Sequence, residues 1–399
     1  MDLRSAYPYW MLRNGIINTY PSLTENITTE VTVIGGGITG ALVAWHLCNA
    51  GLATVVVDKR HIGMGSTAAS TAMLQYEIDI PLYKLIKLVG ERTAIESYKA
   101  SYQSIPDIKA IVSKLNADLD FKMRPSLQFA SFKKDIPGMQ KEIALRKKIG
   151  IKTEWLDEKM LYKTFGIEKS GAIFSNRAAQ VDPYVLTHAL LEQSIRKGAN
   201  IYDHTEIEKI IYTPRGVTLH TTEKRVIRSR YIVIACGYES QKYIPRKVQE
   251  LKSTYATISE PLNRHDLWYK NALIWETATP YIYCRVTSDN RVILGGKDDN
   301  KQPAARDKAL SLKTRLLTQE FHKLFPHIIF KPDFKWAGYF ASTKDGLPYI
   351  GMIPQRPRTY FALGFGGNGI TFSVIAAQII RDMLTGKKND HEKLFSFNR

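Results

Sequence analysis

Three glycines and one carboxylate carry the first chemistry legible in this chain. Gly35, Gly37 and Gly40 stand in G-x-G-x-x-G spacing, and Asp58 closes a second apolar run further on. This set suits a dinucleotide. Gly35 permits a tight turn, Gly37 lets backbone approach a pyrophosphate, and Gly40 lets a helix lie close on a strand. Asp58 can accept hydrogen bonds from a ribose, and a helix N-terminus after the glycines offers its free amides to anionic phosphates. The arrangement works only if residues 31–34 form a buried strand, 38–49 a helix capped near Gly51, and 53–57 a second strand. Their β-branched and apolar patterning meets that requirement.

Three further stretches could lie against the same ligand. Residues 63–75 are mostly small, and Gly65, Ser66 and Thr67 would let amides and hydroxyls crowd a phosphate or a planar ring. Ala235, Cys236 and Gly237 end an apolar run, a second point where backbone can touch a dinucleotide. Gly364, Gly366, Gly367 and Gly369 lead into an apolar helix expected over about 370–384, whose positive end would stabilise negative charge on a bound group.

The elements between these loops follow from periodicity. Helices are expected within 82–117 (two), at 136–149, 157–165 and 310–324, and from Pro183 to about 197 behind an Asp182 cap. Strands are expected at 121–132, 201–211, 217–222, 225–229, 231–237, 251–260, 281–286 and 291–296, the last three antiparallel. Residues 1–29, with Tyr7, Tyr9, Trp10 and Tyr20, read as an irregular arm. The glycine-bearing segments alternate with intervening helix and strand material, so the dinucleotide domain should be assembled from separated pieces.

Composition bounds the rest. The chain has 399 residues and a net charge of +18, but its lysines are dispersed and no arginine-rich run or nucleic-acid reader motif occurs. A nucleic-acid partner is therefore not expected, while peripheral membrane contact stays open. Cys48, Cys236 and Cys284 lack metal-ligand spacing, so no metal is expected, and residues 1–20 lack an apolar signal core. The protein reads as cytoplasmic, with residues 31–57 taken as strand-helix-strand rather than a membrane span.

These motifs together resemble the D-amino-acid oxidase, glycine oxidase and sarcosine oxidase superfamily of FAD-dependent oxidoreductases. The residues that carry the resemblance are Gly35 to Gly40 with Asp58, Gly65-Ser-Thr67, Val181-Asp-Pro183, Ala235-Cys-Gly237, Trp336-Ala-Gly338 with Thr343 to Pro348, and Gly364 to Gly369. The resemblance implies an α/β fold. A discontinuous, three-layer, Rossmann-like FAD domain (1–80, 171–245 and 336–399) would be interleaved with an α+β substrate domain on a mixed or antiparallel sheet (81–170 and 246–335). It implies noncovalent FAD, because the attachment cysteine of sarcosine oxidases aligns near Gly338. Cofactor contacts would also come from Ile38, Thr39, Lys59, Arg60, Met73, Leu74, Ile207, Asn368, Ile370 and Thr371. The implied reaction is oxidation of a C–N bond to an imine, hydride passing to flavin N5, with oxygen or another acceptor taking the electrons.

The departures from the family pattern bear on substrate. Where glycine-oxidase-like members place two arginines that clamp a carboxylate, this chain has Phe340 and Gly367. An amine or secondary amine is then the expected substrate, unless Arg285 replaces the clamp; the pattern lies nearer to γ-glutamylputrescine-oxidoreductase-like members. A lysine used for oxygen activation aligns near Ile293, which leaves oxidase or dehydrogenase open. Candidate catalytic residues are Tyr76, beside the small-residue run; Glu276, able to hold an ammonium; and Tyr283 and Arg285, which share a strand face with Tyr281. An α-amino-acid oxidase, a tRNA-modifying flavoprotein and a protein holding FAD without turnover are the alternatives.

Overall fold

A computed structural model of the chain describes residues 2–5 and 7–399. Two sheets organise them. The first runs Tyr349–Met352, Thr359–Leu363, Val226–Ile234, Ile27–Ile34, Thr54–Val57, Asn200–Tyr202, with Val217–Thr221 added beside Val226–Ile234 and Ile207–Tyr212 beside Val217–Thr221. Its central strands are parallel, and the register sets Ile34 opposite both Val57 and Ile234. Three strand ends therefore finish side by side, and Gly35, Asp58 and Ala235 follow them. Ligands of open α/β sheets bind at such a crevice.

The helix Ile38–Asn49 leaves that edge, and residues 38–48 are buried on every side. An all-round apolar helix needs cover on more than one face. The helices Pro183–Arg196 and Gly369–Leu384 supply it, with the sheet beneath. Asp182 caps the first of these by accepting from the Tyr184 and Val185 amides.

The second sheet runs Pro332–Ser342, Glu250–Ser259, Val292–Asp299, Ile282–Val286, Leu273–Glu276, Lys122–Phe129, Gly171–Gln180, Met73–Gln75, with Glu154–Asp157 beside Gly171–Gln180. Its pairings are antiparallel except that of Leu273–Glu276 with Lys122–Phe129. The helix Pro303–Leu324 packs on it and closes a separate apolar core around Phe321 and Phe325.

Several expectations need correction. Residues 1–29 are not wholly irregular: Tyr9–Asn14 is a helix whose Trp10 is fully buried. The stretches expected at 225–229 and 231–237 merge into one strand, Val226–Ile234, which stops before Ala235, because Arg230 merely stands on an exposed face while its neighbours stay paired. The stretch 201–211 breaks into two strands at Asp203 and His204, the latter at a φ of 44°. The helix expected from 310 starts at Pro303, a residue suited to a first turn. Gly171–Gln180, Met73–Gln75 and Pro332–Ser342 all join the second sheet. Among the described residues, no helix is long and apolar enough to cross a membrane.

Candidate active site

The first of two adjoining cavities opens at the carboxyl ends of the parallel strands. It holds about 1120 Å³ of empty space counted out to its mouth, enough for a large ligand. Its floor is the glycine turn. Gly35 takes a φ of 112°, and a Cβ there would lie 2.5 Å from the Ala235 carbonyl oxygen. A Cβ at Gly40 would lie 1.8 Å from the Gly35 oxygen, so a side chain would push the helix off the strand. Gly37 begins the helix without a side-chain cap, and the Ile38 amide donates to Thr67 Oγ1 at 3.0 Å.

Asp58 lies at the far side. Its carboxylate accepts from the amides of Gly36 (2.7 Å) and Arg60 (2.8 Å), while burial raises its pKa. Each oxygen keeps a lone pair for a ligand hydroxyl. Lys59 and Arg60 turn toward Glu239, at 2.9 and 2.8 Å. Burial pushes the Glu239 carboxyl up, but the Arg60 and Lys59 hydrogen bonds outweigh it and hold it at about 2. Cys236 is no nucleophile here, since burial pushes its thiol up to about 12.

The second cavity shares Ser66, Ser70, Tyr238, Gly369 and Ile370 with the first. Ser66 Oγ is buried at this junction with no hydrogen-bond partner among the described residues, an acceptor or donor left for a ligand. Asn368 would ordinarily cap the helix Gly369–Leu384, but its side-chain amide donates to the Gln75 and Glu77 carbonyls at 3.0 and 2.8 Å. The helix start has no side-chain cap, so its first amides keep their partial positive charge at the cavity wall. These features fit a flavin: a glycine cradle and a ribose acceptor in one cavity, an orphaned hydroxyl at the junction, a positive helix end in the next.

The outer wall of the second cavity carries Thr254, Tyr281, Tyr283, Asp298, Tyr339 and Phe340. Gly295 lies flat under Tyr283, where a Cβ would meet the ring at 2.4 Å. Asp298 Oδ1 is buried with no hydrogen-bond partner among the described residues, and burial pushes its carboxyl up to about 6. At the rim, Asp79 accepts the Gly367 amide at 2.9 Å and a longer contact from the Tyr281 hydroxyl. No lysine, arginine or histidine is among the residues that line this cavity.

Sequence-derived candidates divide accordingly. Gly35, Gly37, Ile38, Thr39, Asp58, Lys59, Arg60, Gly65, Ser66, Thr67, Ile207, Ala235, Cys236, Gly237, Gly369 and Ile370 line the first cavity. Met73, Tyr283, Gly338, Gly366 and Gly367 line the second. Gly40, Leu74, Asn368 and Thr371 lie behind the walls and support them.

Three catalytic candidates do not reach either cavity. Tyr76 points away because Met73 and Gln75 take the cavity face of an alternating strand. It is fully buried, its hydroxyl 3.4 Å from Arg146. Glu276 ties a hairpin turn, accepting from the Ile282 amide at 3.0 Å and the Ser131 hydroxyl at 2.7 Å. Arg285 is carried past the end of the cavity. Its guanidinium donates to the Thr71 and Val181 carbonyls at 2.6 and 3.2 Å and lies over the Trp10 ring. Arg285 thus does not supply the missing carboxylate clamp.

Sequence reasoning missed Asp298, Tyr238 and Glu239. Asp298 ends a buried strand just after Gly295 and Gly296, and Tyr238 follows Ala235 to Gly237, so proximity to a glycine-marked strand end was the available signal.

Residues 30–383 match the family described as DAO, FAD dependent oxidoreductase. The chain belongs to that family. It is an FAD-dependent oxidoreductase, and the two cavities fit its cofactor. The chain is 26% identical to γ-glutamylputrescine oxidoreductase of Escherichia coli over 95% of its own length and 88% of the relative. It is also 26% identical to glycine oxidase of Bacillus licheniformis, over 92% and 96%. The crystal structure of glycine oxidase from Geobacillus kaustophilus superposes with a TM-score of 0.80 at 20% identity, covering 93% of this chain and 99% of that one. That likeness establishes the shared fold.

Proposed function

We propose that this protein oxidises a C–N bond of an amine or secondary amine to an imine, in the second cavity. The observation that carries the reading is the lining of that cavity, which includes four tyrosines, a phenylalanine and a carboxylate but no cationic side chain. An α-carboxylate would enter without a charge partner, and burying an unpaired charge is costly. Phe340 and Gly367, at the positions where glycine-oxidase-like members carry arginine, agree with this reading.

When bound, FAD would supply the two-electron sink: the substrate would lose a hydride to it from the carbon beside nitrogen and a proton from nitrogen as C=N forms, and dioxygen or another two-electron acceptor would later take the pair. The protein's share is binding and alignment. Asp58 and the glycine turn hold the dinucleotide end, and the Gly369–Leu384 helix start faces the second cavity with its positive end. Tyr283, Tyr339 and Phe340 wall the chamber and exclude water from the reacting carbon. In this reading the first sheet's segments bind cofactor and the outer strands of the second sheet bind substrate. Water then hydrolyses the released imine to a carbonyl and an amine.

The test is stoichiometric. Under anaerobic conditions, one carbonyl product trapped per flavin bleached by an amine would support the reading. Bleaching without a carbonyl product, or no bleaching by any primary or secondary amine, would refute it.

A further inference from the structure

The outer wall of the substrate chamber holds a carboxylate that nothing in the C–N oxidation itself requires. Asp298 lines the cavity, and its Oδ1 is shut from solvent and makes no hydrogen bond among the described residues. A carboxylate held in a cavity wall without an ion-pair partner is expensive to keep, so a cationic ligand group in the cavity is its expected partner. The neighbours agree. Tyr281 and Tyr283 stand on the same wall with ring centroids 5.8 Å apart. Two tyrosine faces beside a carboxylate make a setting that attracts an ammonium group. The cations nearest in the fold are committed elsewhere or stand off. Lys313 bonds Asp299 at 2.8 Å and the Lys297 carbonyl at 2.6 Å, so Lys313 and Lys252 act on Asp298 only through space, and its other contact is the uncharged Thr254 hydroxyl. At the rim, Asp79 adds a second carboxyl group beside Gly367.

A nitrogen about to be oxidised must surrender its proton, and a carboxylate stabilises the protonated form. Asp298 is therefore suited to a nitrogen other than the reacting one. We infer that Asp298, flanked by Tyr281 and Tyr283, binds a second, non-reacting ammonium of the substrate, which makes the substrate class a diamine or longer polyamine derivative. This rests on the reading of the second cavity as the chamber for amine oxidation. It adds the part of the substrate that is recognised without being transformed.

The experiment uses the FAD-loaded protein and anaerobic stopped-flow bleaching with straight-chain monoamines and the α,ω-diamines of matching length. A charge-assisted contact should make the best diamine bind about tenfold or more tightly than its monoamine. Asp298→Asn should collapse that ratio toward one, and Asp298→Glu should retain part of it. Equal affinities for diamine and monoamine in the unsubstituted protein overturn the inference without any variant, while leaving amine oxidation standing. A ratio unchanged in a flavin-loaded Asp298→Asn protein overturns it too. Bleaching by α-amino acids alone would remove both this inference and the function on which it rests.

Discussion

The Asp79 carboxylate accepts the backbone N–H of Gly367 at 2.9 Å, and it fills the space a side chain at 367 would need. A Cβ there would lie 2.7 Å from Asp79 Oδ1 and 3.0 Å from the Tyr281 hydroxyl. A side chain at position 367 would have to displace the Asp79 carboxylate and the Tyr281 hydroxyl, and the group standing over it is an acid rather than a base. The chamber's polarity is inverted relative to a carboxylate clamp by one short contact.

Gly367→Arg should therefore fail to create a clamp. Overpacking of this kind costs about 1–3 kcal/mol. The expected result is lower flavin content and a lower melting temperature, with no gain in bleaching by glycine or sarcosine. Tighter binding of either amino acid in the variant would contradict the packing argument.

Arg285 holds two backbone carbonyls, those of Thr71 in the wall of the second cavity and Val181 behind it, and desolvation lowers the pKa of its buried guanidinium to about 10. Arg285→Met would leave those carbonyls without their donor, at about 1–3 kcal/mol each. Thermal melting should fall and flavin should dissociate more readily. In the fraction that keeps flavin, the amine concentration giving half-maximal bleaching should stay unchanged, which a substrate-binding arginine would not allow.

The Asp298 carboxyl is pushed up to about 6 by burial, opposed by a Thr254 hydrogen bond, raised further by Asp79, and lowered by Lys252 and Lys313. Its folded value lies above the ordinary 3.8, so its contribution to stability is full at low pH and is lost as pH rises through about 6. Binding has the opposite sign, because the anion holds the ammonium. The diamine-to-monoamine preference should decline below pH about 6, toward a limiting tenfold per unit. Asp298→Asn should flatten that profile; a profile unaltered by the substitution would assign the titration to another group.

Ile293 is fully buried with Ile258, Trp10 and Trp336, and no lysine is among the residues that line the second cavity. Reduced flavin should accordingly return slowly in air and faster with a quinone-type dye. Rapid recolouring by air alone would make the protein an oxidase despite the missing lysine.

The glycine turn was legible because each of its glycines answers a backbone demand: a φ of 112° at Gly35, a helix pressed on a carbonyl at Gly40. The Asp182 cap and the helix Ile38–Asn49 were legible for the same local reasons. The chamber was not. Tyr76 and Gln75 are neighbours, and only the strand's register with Gly171–Gln180 decides which of them faces the cavity. Arg285 shares a face with Tyr283, yet where that strand leaves the cavity depends on Trp10, brought there by a short helix remote in sequence. Asp298 acquires its meaning from Tyr281 and Tyr283 across a sheet, a relation that sequence spacing does not encode.

The measurement that bears most directly on the central claim is anaerobic flavin bleaching of the unsubstituted protein by amines set against glycine and sarcosine. Bleaching by a diamine or other amine, with glycine and sarcosine inert at the same concentrations, is the predicted result. Bleaching by glycine or sarcosine in preference to every amine would contradict the account, and would mean that a carboxylate is held in a chamber whose lining has no cation to receive it.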